Sequence, residues 1–148
     1  MQANLGLSLQ TLVSVVFAAQ LALFSFRIKR EIDVADGKRK AWFPIPDYIN
    51  ILSMLSVTLF CIVLPLAYKQ FDKASAIVFS IAAVLLAFHP ICMLGHYGLL
   101  PPMERPTYAT GPNQGDYRYC TWWEGVFIIL ALALAGAAGV YVNMKWSP

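Results

Sequence analysis

The chain has 148 residues, of which 59% are hydrophobic and 13% are charged, and its formal net charge is +3. Soluble domains carry about 25% charged residues, so this composition excludes an ordinary soluble domain and indicates an integral protein of a lipid bilayer. The basic residues form no patch interleaved with aromatic residues, which argues against a nucleic-acid partner. The three cysteines show no paired spacing, and we expect no disulfide framework.

Four long apolar runs predict four membrane-spanning helices. The fold class that follows is an all-α integral membrane protein, a four-transmembrane-helix antiparallel bundle that forms one domain over residues 1–148. A short connection between the second and third runs predicts an outer hairpin, and two longer loops are expected on the cytoplasmic side. The predicted spans cover residues 5–26, 47–68, 74–98 and 122–142.

The distribution of basic residues predicts the orientation in the membrane. Six of the eleven lysines and arginines lie in the loop over residues 27–43. Two more follow the third span, whereas the hairpin and the C-terminal end hold the other three. The positive-inside rule therefore predicts both termini on the non-cytoplasmic side. The residues before the first span carry no side-chain charge, unlike a secretory signal peptide, so we expect a retained helix.

Polar residues recur at one depth of the predicted bundle. The first span ends, the second starts, the third ends and the fourth starts on the same side of the membrane, and ionisable groups within a membrane are candidates for function. These residues could line a polar pocket that opens to the cytoplasm, although the macrodipole alone favours Asp47 and Glu124 at helix N-termini. The candidate pocket residues are Arg27, Asp47, Asn50, His89, His96 and Glu124.

The third span carries His89, Cys92 and His96 at positions i, i+3 and i+7, which share one helix face. Cys92 and His96 could reach one metal ion, and either histidine could serve as an axial haem ligand with the other ligand from a different helix or subunit. The alternative is that each histidine simply hydrogen bonds within the bundle. The sequence leaves haem, a metal ion and a structural role open.

Small residues recur every fourth position on the first and last spans, a pattern that lets helices approach closely in lipid. We expect these stripes to pack against other helices, including those of other membrane subunits or of a second copy of the chain. The stripe residues are Ser14, Ala18, Ala22, Ala131, Ala135 and Gly139.

Three functions are compatible with these patterns. The first is a small multi-pass subunit that packs laterally, as an accessory or stabilising component of a larger membrane complex or as a homo-oligomer. The second is a membrane-embedded enzyme or binder for a lipophilic molecule. The third is a haem- or metal-carrying redox subunit that uses His89 or His96. No charged residue lies deep within a span, which argues against a coupled transporter.

The second hypothesis has one likeness in topology. Four spans, outer termini and a basic first loop resemble the layout of the membrane-associated glutathione and eicosanoid enzymes. The Arg- and Glu-rich motif that this family places on its second helix is absent here, where residues 46–50 read Pro-Asp-Tyr-Ile-Asn. The likeness therefore implies a topology and transfers no catalytic residue.

Overall fold

The computed structural model describes residues 2–35, 43–100 and 119–146, with side chains in the first helix described over residues 9–33. Each of the four helices contains a stretch long and apolar enough to cross a membrane, which confirms the predicted fold class. Residues 36–42 and 101–118, which belong to the two predicted longer loops, lie outside the described residues. The helices are α1 (Gln2–Ala35), α2 (Ile45–Tyr68), α3 (Lys73–His96) and α4 (Trp122–Lys145).

Helix α3 is the central helix, because it packs against each of the other three. Its most extensive interface is with α4, and α1 contacts both α2 and α3. We call the end where α1 and α3 finish and α2 and α4 begin the polar end. We call the opposite end, where the connection 69–72 joins α2 to α3, the hairpin end.

The outward faces of the helices carry large apolar side chains. Leu52 is 68% exposed, Leu66 75% and Ile129 70%. Exposed apolar surface of this extent on every helix would be strongly unfavourable in water and is favourable against lipid chains. The described helices therefore present a hydrocarbon-compatible exterior, as an integral membrane protein requires.

Helix α1 continues past Phe26, where the sequence predicts its end. Arg27 and Glu31 are four residues apart and form an ion pair of 2.8 Å, which supports the added helical turn. The next helix-breaking signal is the Asp-Gly pair at 36–37, beyond the last helical residue. Arg27 therefore projects from a helix and not from a loop, which fixes its position relative to α2.

At the hairpin end, Pro65 changes the hydrogen bonding of α2. Residues Thr58–Val63 form a π-helical segment, in which each N–H reaches back five residues. Pro65 has no N–H to give to the carbonyl of Phe60, and the Ser75 hydroxyl of α3 lies 2.5 Å from that carbonyl oxygen. The proline thus frees an acceptor that ties α2 to α3.

The small residues of α4 pack inside the chain. Ala131 and Ala135 are buried, and a methyl group built on Gly139 would lie 3.0 Å from Cδ1 of Ile81 on α3. Gly136, three residues earlier, has no atom within 4 Å of the same position. The close approach predicted for this stripe is therefore made to α3.

Replacing Gly139 with leucine should destabilise the protein, whereas Gly136→Leu should not. The added side chain at 139 overpacks the α3–α4 interface, which costs about 1–3 kcal/mol, and the one at 136 enters open space. Thermal unfolding of both purified variants in one detergent measures the difference. Equal unfolding temperatures for the two variants would contradict the packing of α4 on α3.

Candidate functional site

The Asp47 carboxylate joins three helices at the polar end. It lies in the first turn of α2 and is 1% exposed. The Nε–H of Arg27 on α1 donates to Asp47 Oδ2 at 3.0 Å, and His89 Nε2 on α3 lies 2.8 Å from Oδ1. An ionised carboxylate is costly to bury unless both oxygens have partners, and here each oxygen has one.

Arg27 has further partners beyond Asp47. Its Nη2 donates to Glu31 at 2.8 Å, and its Nη1 donates to the hydroxyl oxygen of Tyr97. The guanidinium of Arg30 lies 4.1 Å from the centre of the same tyrosine ring, a cation–π distance. Burial raises the pKa of Tyr97 above its ordinary value, so this phenol stays neutral. The guanidinium of Arg27 is thus held in one orientation toward Asp47.

A second buried contact between a histidine and a carboxylate joins α3 to α4. His96 Nδ1 lies 2.9 Å from Glu124 Oε2, and both side chains are buried. Glu124 also completes a capping box, because Thr121 Oγ1 accepts from its backbone N–H at 3.1 Å and its carboxylate accepts from the Thr121 N–H. One carboxylate therefore caps α4 and binds the histidine.

Gly95 allows this second pair to form. A methyl group built on Gly95 would lie 2.7 Å from the backbone nitrogen of Glu124, closer than real side chains come. Without that methyl group, the Thr121 hydroxyl donates to the Gly95 carbonyl at 2.7 Å. The start of α4 thus lies directly on the backbone of α3.

Amide and hydroxyl groups connect α1 to α2 one turn further into the bundle. Gln20 Nε2 lies 2.8 Å from Ser53 Oγ, and the Asn50 Nδ2–H donates to the Gln20 carbonyl at 3.3 Å. All three side chains are buried. These bonds satisfy polar groups that would otherwise be exposed to hydrocarbon.

The six candidate pocket residues therefore lie in linked groups at one end of the bundle. Arg27, Asp47 and His89 bond to one another, Asn50 contacts α1 beside them, and His96 pairs with Glu124. Their functional role remains a prediction. The predicted topology places their helix ends close together, but it does not predict which of these residues bond to each other.

The cysteine predicted beside the histidines takes a different place. Cys92 is buried in an apolar cluster with Ile128 and Ala131 of α4. His89 and His96 each bond to a separate carboxylate, and the described part of the chain contains no group of three His, Cys, Asp or Glu side chains placed to hold a metal ion. Haem or metal binding by His89, Cys92 or His96 stays a prediction from the sequence.

The two small-residue stripes differ in their surroundings. Ala131, Ala135 and Gly139 are buried, whereas Ser14, Ala18 and Ala22 are exposed on α1. The spacing rule indicates close approach but does not identify the neighbouring helix.

Several residues of the site were missed by sequence reasoning. Gln20 is fully buried in the middle of α1, and a lone amide in an apolar run is the signal that could have found it. Tyr97 directly follows His96, but nothing in the sequence pairs it with Arg27. The signal for Gly95 is a glycine within the last turn of a membrane helix, where a close backbone approach is one explanation.

Five buried polar side-chain atoms have no hydrogen-bond partner among the described residues, four at the polar end and one, on Gln20, nearer the middle of α1. Buried polar atoms are normally paired with protein, with water or with a bound molecule. We call them the partnerless atoms. They are Gln20 Oε1, Asn50 Oδ1, His89 Nδ1, Trp123 Nε1 and Glu124 Oε1.

The arrangement around His89 can bind a polar group. Asp47 orients the ring through Nε2, as a carboxylate does for a histidine that acts through its other nitrogen. The chemistry available here is therefore hydrogen bonding at Nδ1.

The hairpin end contrasts with this site. A cavity of about 310 Å³ there lies between α1, α3 and α4, and its lining is largely apolar. Its polar lining side chains are Ser80 and Lys145, and neither makes an ion pair within the described residues. The paired acids, histidines and arginine all lie at the other end, so we place the candidate site there.

Comparisons of the chain with models of protein families, with curated proteins and with solved structures find no match. The function of the site is therefore argued from its own residues.

Replacing Gly95 with alanine should destabilise the protein strongly for a one-methyl change. The new methyl group would overlap backbone atoms of Trp123 and Glu124, which cannot rotate away, so we expect a loss of about 1–3 kcal/mol. Gly125→Ala is the control, because its methyl group would lie 4.0 Å from Cys120 Sγ. Thermal unfolding in detergent measures both, and a Gly95→Ala protein as stable as Gly125→Ala would contradict the close contact.

Proposed function

We propose that this small multi-pass membrane protein binds a lipophilic molecule at the polar end of its helix bundle. The polar head group of that molecule bonds to His89, and its hydrocarbon part lies in the surrounding lipid. The coarse description, an integral membrane protein with four spans, follows from the four apolar helices.

The observation that carries the proposal is the state of His89. Its ring is 3% exposed, its Nε2 bonds to Asp47, and its Nδ1 has no partner among the described residues. A histidine that only stabilised the bundle would be expected to use both nitrogens or to leave one in water. The held ring with one buried nitrogen unpaired therefore supports the proposed binding role.

The energetics of the charged residues support the same conclusion. Replacing a buried ion pair with apolar side chains of similar size is often neutral or stabilising, so stability alone gives little reason to keep one. This end holds two buried pairs, Asp47 with Arg27 and His89, and Glu124 with His96. Ionisable groups kept at membrane depth are candidates for function for that reason.

The surroundings favour a lipophilic ligand. The outer faces of the helices carry exposed apolar side chains and lie against lipid chains, the medium in which a lipophilic molecule dissolves. The basic residues near this end also predict, by the positive-inside rule, that it faces the cytoplasm. We therefore include a cytoplasmic-side location, with both termini on the other side, in the proposal.

Lateral association as an accessory subunit or homo-oligomer stays a prediction. The α4 stripe is occupied by α3, which leaves the exposed α1 stripe of Ser14, Ala18 and Ala22 for a partner. Exposure of small apolar residues is equally expected against lipid, so this face favours no partner over the bilayer.

The proposal is tested by ligand-dependent stability of the full chain in lipid nanodiscs. The probes are long-chain alcohols, hydroquinones, quinones and fatty acids with matched tails. A compound present at about 100 times its Kd stabilises by about 2.7 kcal/mol, which raises Tm by about 5–10 °C for a chain of this size. We expect at least one compound to do so for the wild-type protein.

Two variants locate the binding. His89→Phe keeps a ring but removes both nitrogens. It leaves Asp47 Oδ1 without its histidine partner while the Arg27 bond stays, so we expect a lower starting Tm and no ligand-induced shift from that Tm. Ser80→Phe fills the cavity at the hairpin end and should keep the shift. The proposal is wrong if no compound moves the wild-type Tm, or if His89→Phe responds like the wild type.

A further inference from the structure

The partnerless atoms reveal which kind of head group the polar end is built to receive. A ligand that accepts hydrogen bonds would leave donors of the protein unpaired when it is not bound. A ligand that donates hydrogen bonds would leave acceptors of the protein unpaired. The identity of each partnerless atom can be assigned from the bonds that its own side chain already makes. This step rests on the proposed function, since it names the class of molecule bound at the same site.

Asn50 can be assigned from its bond to α1. Its amide nitrogen faces the backbone carbonyl oxygen of Gln20 at 3.3 Å, and a carbonyl oxygen only accepts. The atom left without a partner is therefore the amide oxygen, an acceptor. The Gln20 amide cannot be assigned in this way, because its neighbour, the Ser53 hydroxyl, both donates and accepts.

The partnerless atoms of Glu124 and His89 can be assigned from the contacts that the other polar atom of each side chain makes. The Oε2 atom of Glu124 faces His96, and its Oε1, a carboxylate acceptor, has no partner among the described residues. The His89–Asp47 bond needs a proton between Nε2 and Oδ1, and with that proton on the ring a neutral imidazole presents Nδ1 as an acceptor. Acceptors from α2, α3 and α4 are thus unpaired, against one donor, Trp123 Nε1.

The positive charges near His89 favour a neutral hydrogen-bond donor over a cationic one. The guanidinium of Arg27 bonds to the same Asp47 carboxylate as His89, and Arg30 lies over Tyr97 beside it. A second cation would be repelled by these two groups in a setting of low dielectric constant. A neutral hydroxyl group avoids that repulsion, donates its hydrogen to an acceptor and can accept through its oxygen.

We propose that the head group bound at the polar end is a neutral hydroxyl, alcoholic or phenolic, which donates its hydrogen to His89 Nδ1. The site then discriminates against a head group of the same size that only accepts. A head group that only accepts would leave its own oxygen and the buried acceptors of the protein without hydrogen bonds. A site that hydrogen bonds its ligand discriminates against an analogue lacking that bond far more strongly than an apolar pocket discriminates by size.

The test compares pairs of similar compounds in which only one member donates a hydrogen bond. 1-Dodecanol and methyl undecyl ether have the same atoms, but only the alcohol donates; an alkylhydroquinone and its dimethyl ether form a second pair. Binding to the full-length protein in nanodiscs is followed by the change in Tm over a range of probe-to-lipid ratios. We expect each hydroxyl compound to bind at least about tenfold more tightly than its ether, a difference of one decade in Kd.

Controls separate this inference from the proposed function. In His89→Phe the preference for the hydroxyl compound should fall to about onefold, and in Ser80→Phe it should remain. One outcome is that neither member of either pair binds the wild type, while a probe of another class raises the Tm of the wild type but not that of His89→Phe. That result overturns the hydroxyl assignment and leaves the proposed function standing. Equal binding of alcohol and ether, or tighter binding of the ether, overturns it in the same way. If nothing binds, the proposed function itself fails.

Discussion

The Asp47 carboxylate, buried at the edge of the membrane between Arg27 and His89, is the constraint on which the rest of the structure depends. A carboxylate in a medium of low dielectric constant stays charged only where its partners are held close. Because the two partners come from α1 and α3, the position of Asp47 fixes the depth of both helices relative to α2. Arg27 can meet it only because α1 remains helical beyond Phe26.

From this point the polar end extends by short-range contacts to the fourth helix. Gly95 brings the backbone of α3 against the start of α4, and the Glu124 that caps α4 also binds His96. The hairpin end depends on apolar packing, with Val57 and Ala82 in its buried cluster and Ser75 tying α2 to α3. The molecule thus has one end specified by packing and one by charge, and four of the five partnerless atoms are at the charged end.

Much of this fold was predictable because the signals are local. Apolar runs of about twenty residues give the spans, and counting helix ends places Asp47, Asn50, His89, His96 and Glu124 on one side. The C-terminal end of α1 was harder to predict, since a charged segment after a span can be a loop or a further helical turn. Here the Arg27–Glu31 pair and the absence of a helix breaker before residue 36 favour the turn.

The partners of each residue could not be read from the sequence. Spacing places His89, Cys92 and His96 on one face of α3 and suggests a shared ligand, whereas the two histidines bond to separate carboxylates and Cys92 packs against α4. The α4 stripe likewise predicts a close neighbour but not whether it belongs to the same chain. Which carboxylate meets which histidine depends on helix rotation, and a rotation of a few tens of degrees changes the pairing without changing the pattern.

The most direct test of this account is the coupling between Asp47 and His89 in a double-mutant cycle. The unfolding free energies of the wild type, Asp47→Asn, His89→Phe and the double variant would be measured in one detergent. The account predicts an interaction energy on the order of 1–3 kcal/mol, as expected for contacting buried polar groups. Additivity of the two single changes within about 0.3–0.5 kcal/mol would contradict it.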